Sequence, residues 1–313
     1  MIKHYLSIAR FDHAIKHVFM LPGILLSILF NEQASIILSK LSLGIVSAIM
    51  IASANYTINE YLDGPFDKYH PKKKARPAAK GLIKKPLMIT QYSIFILVGL
   101  MAALFIGKIF LISSIIFLSA GILYNVKPFR IKDIPYFDVI LESFNNPIRL
   151  MLGWSIISEN TIAPLSLLIS YWFGGAFLMT AKRLAELRYM KEIDMLENLI
   201  EYRPNFKKYN ENALLIALFV YAIFSSFNAG VFLIKYRYEY ILLYPLIVLL
   251  FTYYLFLTLQ SNSIVQAPEK LFKDSRLVMI LVLLIVSFIG LSILDINFIN
   301  TILDLKIPQF NVH

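Results

Sequence analysis

Cysteine is absent from the 313-residue chain, which excludes disulfides and thiolate metal sites. Charge is scarce as well: Asp, Glu, Lys and Arg make up 16% of residues, where a soluble domain carries about 25%. The five histidines show no metal-ligand spacing of the HExxH kind. Tandem short repeats and linker-like stretches are also missing, so one domain over residues 1–313 is expected. What fills the chain is apolar, 58% of it, in runs of roughly 20 residues divided by short polar stretches. That composition belongs to the membrane class, and the fold class expected is all-α and polytopic.

The apolar windows predict nine transmembrane helices, at 14–31, 38–58, 87–107, 109–125, 135–157, 162–181, 212–234, 240–259 and 277–295. Basic residues then sort by side. Lys3, Arg10 and Lys16 precede or open the first window, and Lys68 to Lys85 follow the second. Lys127, Arg130 and Lys132 follow the fourth, Lys182 to Lys208 the sixth, and Lys270, Lys273 and Arg276 the eighth. The alternate connections hold only Lys40, Lys108, Lys235, Arg237 and Lys306. The positive-inside rule makes the crowded side cytoplasmic, with the amino terminus inside and the carboxyl terminus outside a cell membrane. The formal charge of +10 is then topological, and the lipid bilayer rather than nucleic acid is the expected partner. Asp295 and Asp304 fall near the opposite face, and the 24 Phe and 18 Tyr read mainly as lipid-facing and interfacial residues. The two long polar loops, 59–86 and 182–211, emerge on the same face four helices apart, so a bundle can bring them over one cavity.

The first loop reads NEYLDGPFDKYHPKKKARPAAKGLIKK. Asn59 and Asp63 are four residues apart and share a face if the helix persists that far. Gly64-Pro65 predicts a bend or an end, which leaves Asp67 to be placed by a turn. An amide and two carboxylates at a helix end supply oxygen ligands suited to Mg²⁺, an ion that completes its shell with water and substrate phosphate. Lys72, Lys73, Lys74 and Arg76 offset the remaining phosphate charge. Lys80, Lys84 and Lys85 read instead as contacts to anionic headgroups.

NxxxDxxxD followed by HPxKxxRPxxxG, here Asn59, Asp63, Asp67, His70-Pro71, Lys73, Arg76-Pro77 and Gly81, resembles the first signature of the UbiA superfamily of intramembrane prenyltransferases. With nine spans and polar loops after the second and sixth, the resemblance covers nearly the whole chain. It implies a UbiA-type bundle whose central cavity opens to the cytosol, with Mg²⁺ and a diphosphate held by the motif. The second loop departs from the pattern. Where most aromatic prenyltransferases of the superfamily carry DxxxD, this chain has MTAKRLAELRYM, with Lys182, Arg183, Glu186 and Arg188. Lys182 and Glu186 stand at i and i+4, open either to a juxtamembrane ion pair or, with Arg183, to an anion clamp. KRxxEL at this place resembles the branch that transfers phosphoribose to a polyprenyl phosphate. Downstream, Ile193, Leu196, Leu199 and Ile200 mark an amphipathic helix, a lid over the cavity or a tether on the bilayer.

A third region lies inside the fifth window, where Glu142, Asn145, Asn146 and Arg149 form two polar columns beside Pro147. Such residues find partners or line a wet cavity. Arg149 reaches a phosphate in that cavity or pairs with Glu142. Tyr124, Asn125 and Lys127 close the fourth window at the same face. The expected activity is a Mg²⁺-dependent transfer. Asn59, Asp63 and Asp67 hold the metal on a donor diphosphate, Lys73 and Arg76 bind phosphate, and Lys182, Arg183, Glu186, Asn145, Asn146 and Arg149 position the substrates. The preferred pair is phosphoribosyl pyrophosphate and a polyprenyl phosphate; the alternative is a polyprenyl diphosphate with an aromatic or lipid acceptor. A transporter reading is weaker, because the polar clusters sit at one face rather than at the bilayer midplane.

Overall fold

A backbone amide in hydrocarbon has no water to bond, so an apolar run must satisfy its hydrogen bonds within itself as helix. The computed structural model describes residues 2–30, 38–70, 73–261, 263–266 and 268–294. Lys72 and Pro71 of the first polar loop, and Asp295, Asp304 and Lys306, lie outside the described residues. Helix α1 spans Ile2–Ala9, a 3₁₀ stretch covers Phe11–Met20, and α2 covers Leu21–Phe30. Then follow α3 (Leu38–Asp67), α4 (Lys85–Leu104), α5 (Lys108–Asn125), α6 (Phe137–Ile157) and α7 (Leu165–Glu192). The remainder are α8 (Leu196–Tyr202), α9 (Glu211–Tyr236), α10 (Tyr244–Leu259) and α11 (Ser275–Ile293).

Among the described residues, eight helical segments are long and apolar enough to cross a membrane. They coincide with eight of the nine predicted windows. The ninth window, 135–157, is also a helix, α6, and fails on composition because Glu142, Asn145, Asn146 and Arg149 dilute its apolar run. Its position explains the tolerance. α6 packs against α2, α3, α5 and α7, so its polar side chains face protein rather than lipid. The contact with α2 is backbone to backbone: a Cβ on Gly153 would lie 2.1 Å from the Met20 carbonyl, and one on Gly23 would lie 2.1 Å from that of Leu150. Without a hydrophobic driving force between helices in lipid, such small-residue contacts are what close packing requires.

Two larger apolar cores flank α6. One gathers Met20, Ile51, Ala103, Phe110, Phe117, Ile148 and Leu152 from the amino-terminal half. The other gathers Phe177, Leu184, Leu187, Leu199, Leu214, Leu218 and Leu257 from the carboxyl-terminal half. The outer surface is apolar as well, with Leu97, Phe105, Ile216, Phe219, Phe227 and Val286 exposed, as a lipid-facing wall demands. The amphipathic segment predicted after the sixth window is α8, only seven residues long. Leu199 inserts into the second core and Tyr202 is buried, so this helix is folded down onto the bundle. Asp194, at φ 53°, reverses the chain between α7 and α8.

Candidate active site

The last turns of α3 place the first polar group. Of the bend or end predicted at Gly64-Pro65, the end does not occur; the helix runs on to Asp67, which helical spacing rather than a turn therefore places. Proline costs one amide donor there, a small loss so close to the end, and Gly64 lets the following loop approach: a Cβ on it would lie 2.8 Å from the Ala78 carbonyl. Asn59, Asp63 and Asp67 therefore stand at i, i+4 and i+8 on one stripe. Asn59 donates to the Asn125 amide oxygen at the end of α5. Asp63 accepts from Lys132 and, at 3.3 Å, from Arg130. Asp67 is fully buried; Arg76 donates to its Oδ2 at 2.7 Å, while Oδ1 is buried without a hydrogen-bond partner.

An orphaned carboxylate oxygen costs about 1–3 kcal/mol and calls for a ligand. Oxygen donors on one helical stripe, with neither thiolate nor imidazole among them, fit a hard divalent cation. Among the described residues no group of three His, Cys, Asp or Glu gathers as a metal cluster; the stripe offers one amide and two carboxylates, of which Asp63 is also engaged by Lys132 and Arg130.

Of the anion clamp and the juxtamembrane ion pair that the sequence leaves open, Arg183 shows the pairing: it is 1% exposed and held by three carboxylates. Its Nε lies 3.2 Å from Asp138, Nη2 lies 3.1 Å from Glu142, and Nη1 lies 3.7 Å from Glu186. A guanidinium with its charge met by three carboxylates, two of them through hydrogen bonds, serves as a structural knot. Asp138 extends the knot by accepting from Asn205 at 2.8 Å and from the Tyr209 hydroxyl, which fixes the loop after α8. Tyr124 donates to Glu142 at 2.7 Å. The i to i+4 pair of Lys182 with Glu186, one of the two arrangements the spacing allows, is not formed; Glu186 turns toward Arg183 and His70 instead. Lys182 is half-buried and makes no ion pair among the described residues.

His70 Nε2 lies 4.0 Å from Glu186 and its ring meets Tyr202 edge-on at 4.8 Å, which joins the two polar loops. Lys73 donates to the Tyr202 hydroxyl and lies 4.2 Å from the ring centroid. Burial, with the positive fields of Arg203 and Arg76, outweighs Glu186 and Asp67 and lowers the Lys73 pKa to about 7. Burial and Lys73 push His70 down to about 4, so it is neutral at pH 7. Arg203 completes the group and was not singled out in the sequence. Burial disfavours its charge, but Tyr202, Tyr124, Glu186 and Glu142 outweigh that and hold it protonated. It makes no ion pair among the described residues. The signal that could have found it is its place directly after the amphipathic segment, where a folded-down cap aims a side chain inward.

Lys73, Lys182 and Arg203 are thus cations available to a phosphate, beside the paired Arg76, Arg130 and Lys132. Lys74, Lys80, Lys84 and Lys85 are exposed. Of the residues within α6, Asn145 and Arg149 face the interior, whereas Asn146 is set against α7. A Cβ on Gly175 would lie 2.0 Å from its Nδ2, so the Asn146 amide belongs to a helix interface rather than to the charged mouth.

Residues 20–275 match the UbiA prenyltransferase family. The chain belongs to that family. It is accordingly an integral, multi-pass membrane protein. It is 29% identical over 153 residues to a decaprenyl-phosphate phosphoribosyltransferase of Mycobacterium tuberculosis, a match that covers 48% of either protein. The alignment thus spans about half the length of that relative. A solved UbiA homologue from Archaeoglobus fulgidus bound to GPP and Mg²⁺ superposes with a TM-score of 0.68 at 20% identity, over 92% of this chain and 99% of that one. Digeranylgeranylglyceryl phosphate synthase superposes with a TM-score of 0.61 at 18% identity, over 93% and 98%. Those likenesses establish the UbiA fold.

Proposed function

We propose that this UbiA-family chain transfers phosphoribose from phosphoribosyl pyrophosphate to a polyprenyl phosphate, with Mg²⁺ held by Asn59, Asp63 and Asp67. The observation that carries the reading is the second polar loop. The single carboxylate of its MTAKRLAELRYM segment, Glu186, is engaged by Arg183, and the loop's Lys182 and Arg203 make no ion pair among the described residues. That arrangement suits a second phosphate group far better than a second metal. The partial identity to a phosphoribosyltransferase supports the same branch.

When bound, Mg²⁺ would neutralise the donor diphosphate and improve it as a leaving group. Arg76 and Lys73 lie where they add positive charge to that diphosphate. Lys182 and Arg203 suit the donor's 5-phosphate, and Glu186 suits its ribose hydroxyls. The anomeric C–O bond to diphosphate breaks as an oxygen of the lipid phosphate forms the new one, releasing pyrophosphate. A phosphate nucleophile carries no proton that must be removed, so a general base is unnecessary. This agrees with a mouth in which the one histidine, His70, is neutral and set against Tyr202.

The proposed architecture is a single domain with nine spans, counting α6. Its cavity opens to the cytosol, its amino terminus is cytoplasmic and its carboxyl terminus lies outside. A prenyl-transfer reading, from polyprenyl diphosphate to an aromatic or lipid acceptor, has one observation in its favour: solved structures of the Archaeoglobus fulgidus homologue include one bound to GPP and one bound to DMAPP. Supplying each radiolabelled donor to purified protein and counting label in the lipid phase separates the two. Ribose label entering lipid supports phosphoribosyl transfer; its exclusion, with prenyl label entering product, contradicts it.

A further inference from the structure

A second cluster of cations lies deeper in the bundle, away from the charged mouth. Arg149 follows Glu142 by seven residues, which places it about 10 Å further along α6 at about 1.5 Å per residue. It is 7% exposed, and its Nε is buried without a hydrogen-bond partner. No carboxylate lies within ion-pair distance among the described residues, and the one whose field reaches it, Glu142, is already engaged by Arg183 and Tyr124. Its other contacts are the Asn145 carbonyl at 3.4 Å, the Phe117 ring at 5.0 Å and the Tyr56 side chain. A buried cation left this way is costly unless an anion arrives.

Tyr56 is the hub. The 3₁₀ stretch Phe11–Met20 lays His13 edge-on against its ring at 5.1 Å and Lys16 over the ring at 5.4 Å. His17, from the same stretch, lies in the field of Arg149, and its Nδ1 is buried without a partner. Arg10 also approaches Tyr56, but Glu60 neutralises it at 2.8 Å. Asp12 points outward. Ile15, 69% exposed, and Val18 put the outer face of this stretch against lipid. The group therefore sets one buried cation, Arg149, and one exposed cation, Lys16, on either side of Tyr56, with hydrocarbon alongside.

We propose that Arg149, His17 and Lys16, grouped around Tyr56, form a second anion seat that takes the phosphate of a membrane-embedded lipid monoester, the acceptor of the transfer. Donor and acceptor then occupy separate seats, one at the mouth and one a few turns deeper, with the acceptor's tail running out past the amino-terminal segment. The Arg149 and His17 nitrogens donate to the phosphate, and Asn145 Oδ1, also buried and unpaired, accepts from its P–OH when it is monoprotonated. The acceptor's identity rests on the phosphoribosyl reading, whereas the seat itself is tested without any donor.

The test is equilibrium binding to the full-length protein in nanodiscs, with a polyprenyl phosphate, the matching polyprenol, phosphatidylglycerol and inorganic phosphate as probes. The expected result is binding of the phosphate lipid over its alcohol, weakened about tenfold or more by Arg149→Gln and several-fold by Lys16→Gln. Affinity for phosphoribosyl pyrophosphate stays unchanged in both variants. Equal binding of phosphate and alcohol, or equal competition by phosphatidylglycerol or inorganic phosphate, overturns the proposal. If Arg149→Gln does not insert, Lys16→Gln, on an exposed side chain, decides by itself. Loss of phosphoribosyl pyrophosphate binding alone, with lipid phosphate still seated, sinks the donor assignment and leaves the seat standing.

Discussion

Asp63 and Asp67 share a helical stripe but meet different surroundings, one beside two cations of the loop after α5 and the other buried with an unsatisfied oxygen. Each is expected to be indispensable: Asp63→Asn or Asp67→Asn should reduce turnover at least about a hundredfold, since each removes charge that the metal and leaving group need. Membrane insertion, followed by size-exclusion profile, should be unchanged. Lys73 gives a sign that can be checked against pH. Its pKa in the protein is about 7, so its charge is full below that value and lost as pH rises through it. If the cation binds the donor, kcat/KM for the donor falls as pH rises above about 7, and Lys73→Arg, charged throughout, removes the inflection. Arg183→Gln should act on the fold instead. Leaving Asp138 and Glu142 without their partner costs about 3–5 kcal/mol, visible as a lowered Tm before any change in donor KM. The sequence showed Arg183 as a cation near a membrane edge, but Asp138 lies 45 residues earlier in the chain, and no local spacing announces that pairing.

At the scale of elements, the helices were legible because hydrocarbon imposes run length and internal hydrogen bonding, and eight windows need nothing more. α6 was legible too, through its polar columns, but which of their residues packs against a neighbouring helix was not. That depends on Gly175 of α7 receiving Asn146, a contact set by packing. Of the bend or end that Gly64-Pro65 predicts, the end does not occur: Gly-Pro is a sound stop signal in isolation, and here the helix carries it through its last turn, so helical spacing rather than a turn places Asp67. The short helix α8 was left open between lid and tether; Leu199 and Tyr202 bring it down onto the bundle, and Arg203 comes with it. Arg203→Gln should therefore raise the donor KM by about tenfold, the loss of one charge-assisted phosphate contact, with Tm unchanged. An equal KM would place the cap outside the donor site.

The whole molecule divides its charge by depth: a mixed-charge mouth where the two long loops meet, the buried Arg149 below it, and an apolar wall outside. Absence of cysteine makes the proposed topology directly testable, since a single introduced thiol is the only one present. Lys74→Cys and Lys80→Cys should label with a membrane-impermeant reagent from the cytosolic side only, and Lys108→Cys and Lys235→Cys from the outer side only. All four labelling from one side would contradict the placement of the loops.

The central claim is that the mouth works on a phosphoribosyl donor. Its most direct test is the mass of the lipid product when the purified protein receives a polyprenyl phosphate, phosphoribosyl pyrophosphate and Mg²⁺. The account predicts a polyprenyl-phosphoryl phosphoribose, formed with one pyrophosphate per lipid and lost on chelation of the metal. An unmodified lipid phosphate, in a preparation that prenylates an aromatic acceptor from a polyprenyl diphosphate, would contradict it.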